Sequence, residues 1–125
     1  MARTKHVGIA FGGRSVEHEV SVITGLQAAH ALDEDRYRPV PIYVSKQGDW
    51  YTGGSELLQS ETYRDLDRVR EEATRVRLGR WGDGKVGLIE EDTSLWARMG
   101  GGPERTPLDV LFNALHGGEG EDGSL

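Results

Sequence analysis

Two short apolar segments of this chain each run into a glycine-rich stretch that carries ionisable side chains. The first stretch ends in Glu17. The second opens with His116, passes through Gly117 and contains Glu121. A carboxylate can pair with an ammonium group, and a histidine can donate a hydrogen bond to a carboxylate or to an oxyanion. These residue types favour a small substrate that carries an amine, such as an amino acid.

The first glycine-rich stretch, residues 12–17, does not match the usual nucleotide-binding motifs. It lacks both G-x-G-x-x-G and G-x-x-x-x-G-K-[ST]. Glu17 would also lie where a phosphate binds at a helix N-terminus, and the two negative groups would repel each other. An amine is therefore more plausible than a nucleotide at this loop. Judged by its spacing alone, however, Glu17 is more simply a partner of the helix dipole.

The second stretch has plainer interpretations too. His116 follows an apolar run and precedes two glycines, so it either faces a substrate or caps the next turn. Glu119, Glu121 and Asp122 are close enough in sequence to suggest a hard cation. Their spacing does not fit an EF-hand loop, and a helix start explains the acidic residues equally well. We expect no metal site here.

The elements around the first loop have the pattern of a strand, a tight turn and a helix. The segment before the glycines is continuously apolar, as in a strand that is covered on both faces of a parallel sheet. After the glycines, apolar residues recur at helical spacing and predict a broad apolar face formed by Val16, Val20, Ile23, Leu26, Ala29 and Leu32. Ser15 is the predicted N-cap, and Glu17 is expected in the first turn.

The remaining segments predict one more helix and three more strands. Residues 38–44, 86–89 and 108–115 are predicted strands, and residues 61–78 a largely exposed helix. Pro39 and Pro41 cannot donate to a sheet ladder, so their strand should lie at an edge or have its proline side free. Ligands of open parallel sheets bind at the carboxyl ends of the strands. We therefore expect an α/β fold, an open parallel sheet with flanking helices, and one site built from both loops.

Composition limits the class of protein. The chain has 125 residues, the length of one domain, and no cysteine, which excludes disulfides and a thiol nucleophile. Its net charge of −6 argues against a nucleic-acid-binding face. No apolar stretch approaches the roughly 20 residues of a membrane span. We expect a cytoplasmic protein with neither nucleic-acid nor membrane partners.

Both glycine-rich stretches resemble signatures of the D-alanine–D-alanine ligases. Residues 11–21, FGGRSVEHEVS, are similar to the N-terminal motif of that family. Residues 116–125, HGGEGEDGSL, resemble the family signature H-G-x-x-G-E-D-G-x followed by an aliphatic residue, with all fixed positions present. The two motifs frame nearly the whole chain, whereas residues 45–105 carry no motif that we can assign.

This resemblance implies a Rossmann-like, pre-ATP-grasp domain over residues 1–125, the N-terminal part of an enzyme with two ATP-grasp domains that are absent from this chain. Such ligases join two D-alanines for peptidoglycan synthesis and use ATP and Mg²⁺. ATP phosphorylates the first D-alanine, and the amine of the second attacks the acyl phosphate. We expect this chain alone to be inactive and to bind neither ATP nor Mg²⁺. A homodimer is a possible assembly of the protein.

The resemblance also implies roles for individual residues. Glu17, the predicted catalytic residue, matches the glutamate that contacts the ammonium of the first D-alanine. Val20 matches a residue that lines the pocket for its methyl group. His116 matches the histidine beside the substrate carboxylate, and Gly117 would let the backbone approach closely. Glu121 matches a glutamate of the signature that would support these residues from behind.

Three alternatives stay open at this point. A related ligase with D-lactate or D-serine as its second substrate would carry the same motifs, since the residues that choose that substrate would lie outside this chain. A stand-alone Rossmann-like binding module without chemistry is the second. A nucleotide-binding domain that uses Gly12 and Gly13 for phosphate is the third, and tight ATP binding by the isolated chain would favour it.

Overall fold

Among residues 4–14, 16–82, 84–91 and 105–115, which the computed structural model describes, seven strands form a single open sheet. The strands are β1 (Lys5–Gly12), β2 (Tyr37–Val44), β3 (Trp50–Thr52), β4 (Thr74–Trp81), β5 (Lys85–Glu90), β6 (Arg105–Pro107) and β7 (Val110–Asn113). The helices are α1 (His18–His30) and α2 (Leu66–Glu72), and two 3-10 turns, Ser55–Leu58 and Ser60–Arg64, lie between β3 and α2.

Parallel and antiparallel pairing divide this sheet into two parts. Its strand order is β6-β5-β4-β3-β2-β1-β7. β1 lies between β2 and β7 and is parallel to both. β3 to β6 extend the sheet beyond β2 through antiparallel pairs. The predicted α/β class is confirmed, and the parallel part is the one whose strands lead into both glycine-rich loops.

β1 is the centre of the core because both of its faces are covered. Ile9, Ala10 and Phe11 are almost completely buried. Helix α1 packs on the face of Phe11 and comes so close that a Cβ at Gly25 would lie 2.5 Å from the Phe11 Cβ. Burial of each large apolar side chain stabilises the fold by about 1.5–3 kcal/mol. This packing fixes where α1 starts relative to the end of β1.

β2 is paired along its whole length on one side only. It pairs with β1 over all eight of its residues, but with β3 only at Tyr43 and Val44. The carbonyl of Pro41 accepts a hydrogen bond of 2.7 Å from the Thr52 hydroxyl rather than from a strand partner. The prediction that the strand edge at Pro39 and Pro41 is free of pairing with a neighbouring strand is confirmed. A groove of about 620 Å³ opens there, at the amino ends of the parallel strands.

The helix predicted over residues 61–78 is wrong in its second half. The first half holds a 3-10 turn and α2, which the Asp65 carboxylate caps by accepting a hydrogen bond of 3.2 Å from the Arg68 N–H. Ala73 then takes an extended conformation (φ −77°, ψ 159°), and β4 begins at Thr74. β4 pairs with β3 on one edge and with β5 on the other. Backbone hydrogen bonds to distant segments therefore outweigh the local helical periodicity.

The last strand is more exposed than its apolar sequence indicates. Residues 108–115 have the pattern of a buried strand, but β7 lies at the edge of the sheet and pairs with β1 alone. Three of its large apolar residues are therefore exposed: Val110, Leu111 and Phe112.

The predicted apolar face of helix α1 is confirmed at Leu26 and Ala29 but is wrong at its N-terminal end, at Val16, Val20 and Ile23. The buried positions of α1 are His18, Ser21, Val22, Gly25, Leu26 and Ala29. Val20 and Ile23 are 54% and 55% exposed, and Val16, ahead of the helix, is 98% exposed. Two polar side chains thus occupy the buried face. At 13 residues α1 is the longest helix of the described segments, none of which has a helix long and apolar enough to cross a membrane.

Candidate functional site

The strands that lead into the two glycine-rich loops end at the same edge of the sheet. Gly12, at the end of β1, lies opposite Val44, at the end of β2. Ala10 lies opposite Asn113, the last residue of β7. Because β2 and β7 flank β1, this edge is a switch point of the strand order, where open α/β sheets bind their ligands. The carboxyl ends of the parallel strands therefore converge, as the sequence predicts.

Two consecutive glycines make the turn that leaves β1. Gly12 and Gly13 have φ values of +97° and +94°, which other residues rarely adopt. A Cβ at Gly12 would also lie 2.4 Å from the Val44 carbonyl oxygen. The turn therefore requires glycine for its conformation and for its close approach to β2.

The backbone N–H groups of these glycines already have partners inside the domain. The Gly12 N–H donates to the Ser21 hydroxyl at 2.9 Å, and the Gly13 N–H donates to the Val44 carbonyl at 2.7 Å. A phosphate-binding loop instead directs such N–H groups at its ligand. The loop therefore does not present these two groups to a phosphate.

Ser21 connects the first loop to the second. Its side chain is completely buried. The hydroxyl accepts from the Gly12 N–H and donates to the Ala114 carbonyl at 2.7 Å, two residues before His116. A single hydroxyl therefore joins α1, the end of β1 and the end of β7. Sequence reasoning missed this residue, and the available signal was a small polar side chain among the apolar residues of a helix.

His18 lies beneath the turn and is 1% exposed. Its Nδ1 is 2.7 Å from the Gly13 carbonyl oxygen, and its Nε2 is 3.0 Å from the Tyr43 hydroxyl. A carbonyl can only accept, so Nδ1 carries a proton and donates, and in the neutral imidazole Nε2 therefore accepts from the Tyr43 hydroxyl. Burial raises the pKa of Tyr43 to about 12, so this hydroxyl keeps its proton. The sequence pattern does not indicate either of these two hydrogen bonds of His18.

Glu17 is exposed and lies at the N-terminus of α1, at the edge where the strands converge. It is the N-cap residue (φ −90°, ψ 22°) rather than part of the first turn. Its carbonyl accepts the first helical hydrogen bond, from the Ser21 N–H at 2.9 Å. Ser15, the predicted N-cap, lies outside the described residues.

The turn between β2 and β3 packs against the first loop. The Lys46 Nζ lies 3.1 Å from the Glu19 Oε1. A hydrogen bond from its own backbone N–H, and then the neighbouring Lys46, lower the pKa of Glu19. The Arg14 guanidinium lies so close to Gly48 that a Cβ there would be 2.5 Å from its Nε. Glu19 therefore forms an ion pair with the turn between β2 and β3.

The structure brings two of the predicted substrate-binding residues to one side of the domain. Val20 follows Glu17 by three residues, about one helical turn, and both are exposed. The other predicted residues of the site, His116, Gly117 and Glu121, lie outside the described residues.

Metal ligands do not cluster in the described part of the chain. No group of three or more histidine or acidic residues there could hold a metal ion. The acidic residues of the second glycine-rich stretch, Glu119, Glu121 and Asp122, lie outside the described segments.

The match to a protein family covers nearly the whole chain. Residues 6–125 match the family described as D-ala D-ala ligase N-terminus. The chain belongs to this family. It is 34% identical over 120 residues to the D-alanine–D-alanine ligase of Thermosipho melanesiensis, covering 96% of this chain and 30% of that protein. It is 37% identical over 121 residues to the ligase of Chlorobium luteolum, again covering 30% of the relative.

Solved structures agree with this membership of the D-alanine–D-alanine ligase N-terminal family. The D-alanine–D-alanine ligase of Coxiella burnetii superposes with a TM-score of 0.74 at 25% identity, over 98% of this chain and 32% of that one. A D-Ala:D-Ser ligase of Enterococcus faecalis superposes with a TM-score of 0.73 at 24% identity, over the same shares of the two chains, and shows the shared fold. The chain thus spans about a third of the length of the relatives that it matches.

Proposed function

We propose that residues 1–125 are the N-terminal substrate domain of an ATP-dependent ligase that joins two D-alanines, and that this domain binds the first D-alanine. One observation carries the proposal. The exposed carboxylate of Glu17 lies at a helix N-terminus, on the edge where β1, β2 and β7 end, beside glycines whose N–H groups are already bonded. Such a loop suits an ammonium group better than a phosphate.

Each predicted residue then has a task toward the first D-alanine. Glu17 accepts hydrogen bonds from the ammonium group, and Val20 contacts the methyl group one turn further along α1. His116 donates to the substrate carboxylate and stabilises its charge. Gly117 allows the backbone to approach closely, and Glu121 holds this second loop in place. The effect of all five is to position the substrate before any bond forms.

We assign the binding of ATP and Mg²⁺ to ATP-grasp domains outside residues 1–125, as the resemblance to the ligases implies. This assignment is in keeping with the greater length of the relatives, of which the chain covers 30%, and with the internal hydrogen bonds of the two glycine N–H groups of the first loop. The proposed enzyme acts in the cytoplasm, in peptidoglycan synthesis. Measurement of its oligomeric state would show whether it is a homodimer.

The test is D-alanine-dependent release of phosphate from ATP and Mg²⁺, together with chromatography of the dipeptide product. It is run on the isolated chain and on the full-length enzyme that carries it, with L-alanine as the control substrate. We expect release and dipeptide formation only from the full-length enzyme with D-alanine. An enzyme that ignores D-alanine contradicts the proposed activity. Release at enzyme-like rates by the isolated chain contradicts the division between domains, and tight ATP binding by that chain favours a nucleotide-binding domain instead.

A second substrate other than D-alanine is the alternative that the comparisons raise, because a D-Ala:D-Ser ligase shares the fold. The first-site residues Glu17 and Val20 would serve either enzyme. Competition between D-alanine, D-serine and D-lactate for the second position, read from the products of the full-length enzyme, separates the two activities.

A further inference from the structure

Hydrogen bonds at Gly13 anchor the turn that leads from β1 into helix α1. Val16, two residues before the helix begins, is 98% exposed. The Gly13 N–H donates to Val44, and the Gly13 carbonyl accepts from His18 Nδ1 at 2.7 Å. The second bond joins the first residue of helix α1 to Gly13, and Glu17 directly precedes His18 in the chain. The conformation at Glu17 therefore depends on where the imidazole of His18 is held.

A packed aromatic cluster holds that imidazole. Tyr43 meets the His18 ring edge to face, with centroids 5.4 Å apart, and its hydroxyl is 3.0 Å from His18 Nε2. The Tyr43 ring in turn lies 6.2 Å from Phe11 and 5.3 Å from Tyr63. These rings leave Tyr43 little freedom, so its hydroxyl selects the His18 tautomer that donates from Nδ1 to Gly13.

We propose that His18 is a positioning residue for the reaction: held by Tyr43, it fixes the Gly13 carbonyl and so sets the place of the Glu17 carboxylate that receives the substrate ammonium. This inference rests on the proposed function. His18 does not touch the substrate, and its effect passes through the backbone of the turn. Its loss should therefore weaken use of the first D-alanine while the chain stays folded.

The decisive comparison uses two tyrosines of the same cluster in the full-length enzyme. Tyr43→Phe removes only the hydroxyl that holds His18. Tyr63→Phe is the matched control, because the Tyr63 hydroxyl donates to the Leu57 carbonyl instead of to His18. We expect Tyr43→Phe to raise the KM for the first D-alanine about fivefold, the scale of one hydrogen bond, with kcat little changed. Tyr63→Phe should stay within about twofold of the wild type. Equal values for the two variants overturn the inference.

Substitutions of His18 provide a rescue test. His18→Asn places an amide N–H near the position of Nδ1 and retains a donor for Gly13, whereas His18→Leu retains none. We expect a larger rise in KM for His18→Leu than for His18→Asn. Equal, wild-type KM values for both contradict the inference. If His18→Leu does not fold, the comparison of Tyr43→Phe with Tyr63→Phe still decides.

Nitrogen-15 NMR of the imidazole gives a readout that does not depend on activity. We expect the wild-type chain to show His18 with a proton on Nδ1 and none on Nε2, and Tyr43→Phe to weaken that preference. A proton on Nε2 in the wild type overturns the inference. The two proposals also fail separately. A wild-type enzyme that ignores D-alanine contradicts the proposed function, whereas an active enzyme indifferent to Tyr43→Phe contradicts only the role of His18.

Discussion

The buried hydroxyl of Ser21 donates a hydrogen bond of 2.7 Å to the carbonyl of Ala114 and so ties helix α1 to the strand that leads to His116. Ser21→Ala would leave that carbonyl and the Gly12 N–H without their partner in a buried place. We expect the free energy of unfolding to fall by about 1–3 kcal/mol, the cost of unsatisfied buried polar groups. Urea denaturation followed by circular dichroism measures the change.

Thr24→Ala is the control for Ser21→Ala on the same helix. The Thr24 hydroxyl bonds only back to the Val20 carbonyl, at 3.0 Å, and lies toward the surface. Alanine is the better helix former, so we expect a change of less than about 0.5 kcal/mol in either direction. Similar losses for the two variants would mean that the bridge to Ala114 adds no stability.

A second prediction concerns the turn glycine Gly12. Gly12→Ala introduces a strained φ of +97° and also a Cβ 2.4 Å from the Val44 oxygen. Gly84→Ala is the matched control, because Gly84 has a φ of +85° but no atom within 4 Å of the added Cβ. We expect Gly84→Ala to cost about 1–3 kcal/mol from strain alone and Gly12→Ala to cost clearly more. Chemical denaturation of both variants separates clash from strain, and equal losses would contradict the close approach of β1 to β2.

A third prediction concerns alkaline pH. Burial raises the pKa of Tyr43 from 10.0 to about 12 and also raises the pKa of Tyr63. Above pH 10 the unfolded chain therefore binds fewer protons than the folded chain. The contribution of these tyrosines to the free energy of unfolding is fully present below pH 10 and decreases as the pH rises toward 12. Urea midpoints at a series of pH values should decline over this interval.

Tyrosinate absorbance at about 295 nm supplies the residue-level check for this pH dependence. In the folded chain at about pH 10.5, Tyr43→Phe and Tyr63→Phe should leave the tyrosinate signal unchanged, because neither ring has ionised. A clear drop in that signal for either variant, with the fold intact by circular dichroism, would show that the ring titrates normally and is not shielded.

The central elements were predictable because their signals are local. A continuous apolar run, two glycines and a helical spacing are enough to indicate β1, its turn and α1. The end of the helix predicted over residues 61–78 was not predictable in this way, because β4 takes its hydrogen bonds from β3 and β5. The exposure of β7 likewise follows from its place at the sheet edge, which its own apolar residues do not reveal.

The same contrast between local and long-range signals explains which residues of the candidate site the sequence indicates. Glu17 lies within a recognisable motif, so its neighbours in the sequence are enough to identify it. His18 and Ser21 act through partners in separate segments: Gly13 and Tyr43 for His18, and Gly12 and Ala114 for Ser21. A spacing pattern contains no information on such pairs, and these two residues are visible only once α1 is placed against the strand ends.

A fourth prediction concerns the methyl group of the first D-alanine. Val20 and Ile23 lie on α1 and are 54% and 55% exposed, so alanine at either position should cost similar, small amounts of stability. Under the proposed function only Val20 meets the substrate. We expect Val20→Ala to raise the KM for D-alanine about five- to thirtyfold, since lost methyl contacts are worth on the order of 1–2 kcal/mol. Ile23→Ala should stay near the wild type, and equal effects of both would remove Val20 from the site.

A fifth prediction tests the carboxylate on which the proposed function depends. Glu17→Gln keeps the size of the side chain but removes the charge that would pair with the substrate ammonium. We expect kcat/KM for the first D-alanine to fall by about 10- to 150-fold, which corresponds to the 1.5–3 kcal/mol of a hydrogen bond to a charged group. The KM for ATP should not change, because the nucleotide is assigned to other domains.

Glu19→Gln is the control for Glu17→Gln, two residues along the same helix. Glu19 is exposed and pairs with Lys46 at 3.1 Å, and exposed ion pairs contribute little. We expect its loss to change kcat/KM by less than about threefold. Steady-state kinetics of the full-length enzyme over a range of D-alanine concentrations distinguish the two variants. If Glu17→Gln behaves like Glu19→Gln, then Glu17 only complements the helix dipole and the ammonium of the substrate is bound elsewhere.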